Sequence, residues 1–394
     1  MLASGDFDSM KVILDYYMNI AIFLRLRTQA YWNHSGIWTT ETHTLFGAYT
    51  LSDYGCNRPA TYPTPYEASG YLHVDQGGDS GSPEYSLMAF DYYATTGDAQ
   101  YLPLAFASAD YFMYHYLGNV SADGKVVVWP AQVLETFWCT YDTALMTWTN
   151  CCADDAPTIS GMLTLFEKLR MLPSTLTTPV QRAAWDNFAN VQMPDLPLKP
   201  DGTIAYARIL SDSTHNNEGP DLYAMHPHRV YTRGREVATG LNISIGVKTF
   251  EASTFRSANS GWAYAVNAAV LLGLSDIAAP MVVSRALIAP AVGYRFPAFA
   301  PHEQDYDPSA DHYANMMRAM QEMLLQSGED GFENSTIVLL PAWPCAWDVD
   351  FQLVATGNTT VSVSYVGGKL ISLDVQPPQR AAAVKWGGCV VAAT

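Results

Sequence analysis

The chain has 394 residues, enough for one large domain or two ordinary ones, and 49% of them are hydrophobic, so a sizeable core is available and general disorder is excluded. Acids outnumber bases 38 to 21, for a net charge of −17, which argues against phosphate-directed binding of nucleic acid and against an anionic membrane surface. Only 15% of residues are charged while 12% are aromatic, with 24 Tyr and 10 Trp; this suits a neutral ligand that stacks on rings, and it equally suits a large aromatic core.

In chain order, Met10, Ile13, Leu14, Tyr17, Met18, Ala21 and Leu24 repeat at helical spacing and predict an amphipathic helix. That pattern is already running near Met1, which predicts a chain entered part-way through a domain. If helices are missing ahead of it, Ile13, Leu14 and Met18 are expected to be partly exposed. A Gly/Pro/Tyr-rich loop follows over 47–83. Helices are expected over 84–95, 101–116, 157–172, 179–190, 261–272, 277–287 and 311–326. In the last of these, Tyr313, Met316, Met317, Met320, Met323 and Leu324 form a stripe that reads as core. After Ser335 the character changes to short β-branched runs. Gly357-Asn358 and Gly367-Gly368 lie between them as turns, predicting an antiparallel meander.

No apolar run approaches the ~18 residues needed to span a bilayer, and no basic leader segment precedes Asp6 and Asp8. Five Asn-X-Ser/Thr sequons, at Asn33, Asn119, Asn242, Asn334 and Asn358, favour a secretory route weakly. The six cysteines have no zinc-like spacing. Cys139 could be joined to Cys151 or Cys152 in an oxidising compartment, and buried free thiols are an equal alternative. His226 and His228 flank Pro227, but no third ligand stands at a suitable spacing, so neither a metal nor another cofactor is implied.

Three stretches carry a resemblance to a known family. They are Pro130-Ala-Gln-Val-Leu-Glu-Thr-Phe-Trp138 with Asn150-Cys-Cys-Ala-Asp-Asp-Ala-Pro157, then Asn216-Asn-Glu-Gly-Pro-Asp-Leu-Tyr223, and then Ala310-Asp-His312 leading to Gln321-Glu-Met-Leu-Leu-Gln-Ser327, Leu339-Leu-Pro-Ala-Trp-Pro344 and Gly367-Gly-Lys-Leu370. Together they resemble glycoside hydrolase family 95, the α-L-fucosidase and α-L-galactosidase group, and its relatives. The resemblance runs at a remote level over nearly the whole chain. It implies a mainly α fold: a partial (α/α)6 toroid of the six-hairpin glycosidase type over 1–335, and a small C-terminal antiparallel β-domain over 336–394. It also implies an N-terminal segment of the same protein ahead of Met1. An asparagine pair that supports the attacking water in the family has no counterpart here.

Glycoside hydrolysis needs two carboxyl groups flanking the scissile bond; in inverting enzymes they stand roughly 6.5–9.5 Å apart, leaving room for a water. Glu135, among Val133, Leu134, Phe137 and Trp138, is the expected general acid, because apolar neighbours disfavour the charged carboxylate. Asp311 is the expected general base, with a helix N-cap as its alternative reading. Glu218 with Asn217 is expected to hold substrate or serve as a second base. His34, Glu41, Trp38 and His312 are further expected sugar contacts, and Glu135, Glu218 and Asp311 should converge on one cavity.

The expected partner is an oligo- or polysaccharide carrying an α-linked L-fucose or L-galactose type sugar. The expected location is the secretory lumen or the cell exterior. Two other functions compete. A polysaccharide lyase would need cations against a uronate, and Arg229, Arg233 and Arg235 are the candidates. A non-catalytic carbohydrate-binding fragment would need no acid–base pair at all.

Overall fold

The computed structural model describes residues 1–38, 82–134, 136–142, 144–145, 147–214, 218–259, 261–287 and 311–389. Helices dominate among them. They are α1 (Phe7–Trp32), α2 (Ser82–Thr96), α3 (Leu102–His115), α4 (Ala156–Met171), α5 (Pro179–Asn187), α6 (Arg233–Thr239), α7 (Ser244–Ala252), α8 (Ala265–Leu271), α9 (Ser275–Ala286) and α10 (Asp311–Leu324). No helix among the described residues is long and apolar enough to cross a membrane. The chain divides into two compact units, one of residues 7–93 and 98–224, the other of residues 1–6, 94–97 and 225–394. The change of composition near Ser335 marks where helices give way to strands. It is not where contacts thin, because the strand Leu325–Ser327 that continues α10 pairs with Ile337–Leu339 across that point.

In the first unit, α1 buries Met10, Leu14, Ala21, Leu24 and Thr28 at helical spacing, as its pattern predicts. Leu14 is fully buried, and Ile13 and Met18 are half-buried. The exposed apolar residues of α1 are instead Val12, Ile22, Phe23 and Leu26. Helix α3 packs on α1 and α4, and α4 on α5. Leu104, Ala105, Ala109, Tyr111 and Phe112 of α3 are all 1% exposed or less. A fully buried side chain of Leu or Phe size contributes about 1.5–3 kcal/mol. Two helices start where local chemistry directs. Asp155 accepts from the Thr158 amide ahead of α4, and Thr178 forms a reciprocal capping box with Gln181 ahead of α5. Short antiparallel ladders, Phe137–Trp138 with Ser213–Thr214, Thr140–Asp142 with Thr147–Thr149, and Ala153–Asp155 with Ala207–Ile209, hold the loops between α3 and α6.

In the second unit α8, α9 and α10 pack on one another. The Met stripe of α10 is core at its C-terminal end and open in the middle. Met323 and Leu324 of the stripe are buried and Tyr313 and Met316 half-buried, whereas Met317 is 55% exposed and Met320 is 39% exposed; His312, Ala319 and Glu322 are buried as well. Polar groups share the buried side with them. Asn267 of α8 donates to the Asn315 carbonyl, Asn315 of α10 to the Trp262 carbonyl, and Gln326, in the strand after α10, to the Val270 carbonyl. The meander appears as expected, with Val349–Ala355, Thr359–Val366 and Lys369–Gln376 antiparallel and Val361, Val363 and Tyr365 alternating inward. Its turns use left-handed Gly357 and Asn358 (φ 67° and 47°), then Gly367 and Gly368 (φ 60° and 79°). One pairing departs from the all-antiparallel expectation. After a 3-10 turn over Pro378–Ala383, Val384–Trp386 lies parallel to Ile337–Leu339.

Candidate functional site

The turn that carries Glu135 is tightly built. The Thr136 and Phe137 amides donate back to the Val133 carbonyl, and Gln132 Nε2 donates to the Leu134 carbonyl at 2.8 Å. Leu134 takes φ 48°, a left-handed conformation that costs a non-glycine residue about 1–3 kcal/mol and is found where a turn must aim a neighbour. Val133 and Leu134 are 0% and 1% exposed. Glu135 itself lies outside the described residues, as do Glu41 and Asn217. The strand that follows pairs Phe137 with Thr214, which brings the second expected loop alongside. Thr136 ties the two together: its hydroxyl donates to Glu218 Oε2 at 3.4 Å and accepts from the Glu218 amide at 3.3 Å. A disulfide, Cys139–Cys151, closes the adjoining hairpin, and Cys152 remains a buried thiol whose pKa burial raises.

Next to this turn stands a carboxyl that the sequence reading did not assign. Asp155 is 1% exposed; one of its oxygens caps α4 and the other has no hydrogen-bond partner. Burial pushes its pKa from the ordinary 3.8 up to about 7, against the stabilising hydrogen bonds from Thr158. The string Asp154-Asp155-Ala156-Pro157 ahead of a helix was the available signal, since an acidic cap with proline in the first turn is a recognisable start. Its neighbour Asp154 binds the Val128 amide at 2.8 Å and Arg208 at 2.6 Å.

At the C-terminal end of α1, Trp38 is 1% exposed and packs edge-on to Trp32 at 5.0 Å, so its ring is a core ring rather than an open stacking platform. His34 is held on both ring nitrogens. Nδ1 lies 2.7 Å from the Ser35 carbonyl, which makes it the donor, and Nε2 lies 3.0 Å from His115 Nδ1. The His115 ring in turn stacks on Tyr111 at 4.7 Å. Gly36 makes this packing possible. At φ 113° it lies against the Tyr111 backbone, where an added Cβ would come within 2.4 Å of the Tyr111 nitrogen.

Asp311 belongs to the other compact unit, in the first turn of α10, and is exposed. His312 departs from its expected role as a sugar contact. It is fully buried, its Nδ1 accepts from the Gly261 amide at 3.2 Å and its Nε2 donates to the Arg285 carbonyl at 3.0 Å. Burial, joined by the nearby Arg285 charge, holds its pKa below 6.5, so it is a neutral structural histidine. Arg285 is itself fully buried among carbonyls of Gly261, Ala263 and His312, and burial lowers its pKa to about 10.

Further along this unit, Glu322 is 6% exposed and accepts from Arg229 at 2.6 Å and Arg318 at 3.1 Å. Burial alone would raise its carboxyl; the two guanidiniums outweigh that and hold it below 4.5. Arg233 donates to the Gly387 carbonyl and pairs with Glu236, and Arg235 donates to the Val230 carbonyl. His226 is buried beside Tyr264, and burial followed by the Arg318 and Arg229 charges keeps it uncharged. Among the described residues no three His, Cys, Asp or Glu side chains gather as a metal site. No protein-family model matches the chain, and no curated protein does either.

Proposed function

We propose that this protein is an inverting glycoside hydrolase that removes an exposed α-linked sugar of the L-fucose or L-galactose type from an oligo- or polysaccharide, with its helices arranged as hairpins of an (α/α)6 toroid. In this reading Glu135 is the general acid, Asp311 the general base, and Glu218 with Asn217 holds substrate hydroxyls. The observation that carries it is the reciprocal Thr136–Glu218 contact, which couples the turn bearing the proposed general acid to the loop bearing the proposed substrate-holding carboxyl. The buried apolar flank of Val133 and Leu134 supports a proton donor there, because a low-dielectric surrounding favours a neutral carboxyl. Two disulfides, Cys139–Cys151 and Cys345–Cys389, support an oxidising, secretory setting. The lyase reading loses support, because Arg229, Arg233 and Arg235, which it needs for a uronate, are all engaged by their own chain.

Kinetics on two substrate types test the assignment. Glu135→Gln is expected to lower turnover about 10²–10⁴-fold on natural linkages and less than about tenfold on aryl glycosides, whose leaving oxygen needs little protonation. Asp311→Asn should impair both alike, because activation of water is needed whatever departs. Equal small effects from both substitutions would leave the binding-module reading ahead, and an unsaturated uronate product would establish the lyase.

A further inference from the structure

A cavity of about 550 Å³ opens between α1, α3 and the start of α5, away from the Thr136–Glu218 turn in sequence and built wholly within the first unit. Its volume falls within the roughly 300–1,000 Å³ of small-molecule sites. Its apolar lining includes Ile22, Leu26 and Phe106, and its polar lining Arg25, Asp110 and Gln181. Ile22 and Leu26 are 61% and 62% exposed, so this is also where the apolar strip of α1 is left uncovered.

The polar groups have unused capacity. No hydrogen bond among the described residues reaches the Asp110 carboxyl. Burial raises its pKa, and the Arg25 charge opposes that. Arg25 makes one long bond, 3.4 Å to the Pro103 carbonyl. The Gln181 side-chain oxygen is taken by Thr178, which leaves its amide Nε2 as donor. His34 also lines the cavity, but its nitrogens are committed to Ser35 and His115.

This combination selects a ligand by exclusion. An anion would meet Asp110, and a cation would meet Arg25. A purely apolar molecule would cover both charged groups without giving them hydrogen bonds, at a cost of about 1–3 kcal/mol or more each. A ring hydroxyl both donates, as Asp110 requires, and accepts, as Arg25 and Gln181 require. The less polar face of a pyranose covers Leu26 and Phe106. We infer that the cavity between α1 and α3 is a binding site for a neutral hexose or deoxyhexose, separate from the proposed catalytic carboxyls. It gives a saccharide a second point of contact on the protein, and it rests on the glycosidase reading only for the choice of sugar used as probe.

The test is titration calorimetry with methyl α-L-fucopyranoside, L-galactose and D-glucose, with sulfate and methylammonium as charged controls. At least one sugar should bind saturably with Kd on the order of 1 mM, as expected of a single ring in an open site, and neither ion should compete. Asp110→Ala and Phe106→Ala should each weaken binding at least about tenfold. Leu26→Trp is a control for folding. It fills the cavity from a position that is 62% exposed, and should abolish the same binding event that Asp110→Ala weakens while the urea midpoint stays unchanged. Glu135→Gln and Glu218→Ala should leave this binding intact, so failure of the catalytic assignment and failure of the cavity are read separately. Sugar binding that survives Leu26→Trp but is lost in Glu218→Ala would overturn the cavity site and leave the catalytic one. Tighter binding of either ion, or self-association abolished by Leu26→Trp with no sugar bound, would also overturn it.

Discussion

Asp155 offers a quantitative test of the electrostatics beside the candidate site. Its carboxyl is 1% exposed, and burial lifts its pKa from 3.8 to about 7. Below about pH 4 the folded and unfolded chains both carry the proton, and the group costs nothing through ionisation. Between about pH 4 and 7 the unfolded chain has released the proton while the folded chain keeps it, so stability falls as pH rises. Above about pH 7 both are ionised, and the folded state carries the full penalty, which at about 1.4 kcal/mol per pH unit comes to roughly 4 kcal/mol. Asp155→Asn removes the titration and keeps a capping oxygen for the Thr158 amide, since Asn and Asp cap about equally well. The variant also places an amide where a protonated carboxyl stood, an offset that does not change with pH. The difference in unfolding free energy between variant and parent should therefore shift in favour of the variant by about 4 kcal/mol between pH 4 and pH 8. Urea unfolding at fixed ionic strength across that range measures it. Parallel pH profiles for the two proteins would refute the claim that Asp155 is buried and protonated.

Gly36→Ala should lower stability by at least about 3 kcal/mol, because a Cβ there meets the Tyr111 backbone and the φ of 113° disfavours a side chain; calorimetric melting checks it. Removing Cys345 and Cys389 together should cost about 4 kcal/mol, and removing Cys139 and Cys151 about 3 kcal/mol, following their separations of 44 and 12 residues; urea midpoints of the two double variants test the order. Arg229→Ala should cost about 3–5 kcal/mol by leaving Glu322 buried with one guanidinium fewer, and adding Glu322→Leu should recover much of that loss, which a double-mutant cycle in urea would reveal.

The features legible in the string are local ones. Periodicity placed α1, α3, α4, α5 and α10 within a few residues, because burial of one face repeats every three to four residues wherever a helix forms. Alternation and the Gly-Asn and Gly-Gly turns placed the three-stranded meander, because a two-residue turn and a period of two are both written in neighbouring positions. The short helices α6 and α7 lie outside the expected helices. Cys139 could be linked to its near neighbours by proximity. Cys345 with Cys389 could not, since only the return of the chain alongside Ile337–Leu339 brings the two together.

Packing sets which side of each element is buried. Of the apolar stripe of α10, Met323 and Leu324 are buried while Met317 and Met320 are exposed, and His312 and Glu322 are buried too, because Gly261, Arg285, Arg229 and Arg318 supply their hydrogen bonds. Trp38 read as a platform and is a core ring, since Gly36 lets the chain close onto α3. The Thr136–Glu218 contact and the Arg25–Asp110–Gln181 cavity join residues 82, 85 and 71 positions apart, and no local pattern encodes such meetings. Side-chain period and cap chemistry act over a few residues and are legible in the string. Desolvation and long-range hydrogen bonding depend on what the rest of the chain brings alongside, and only the folded protein specifies that.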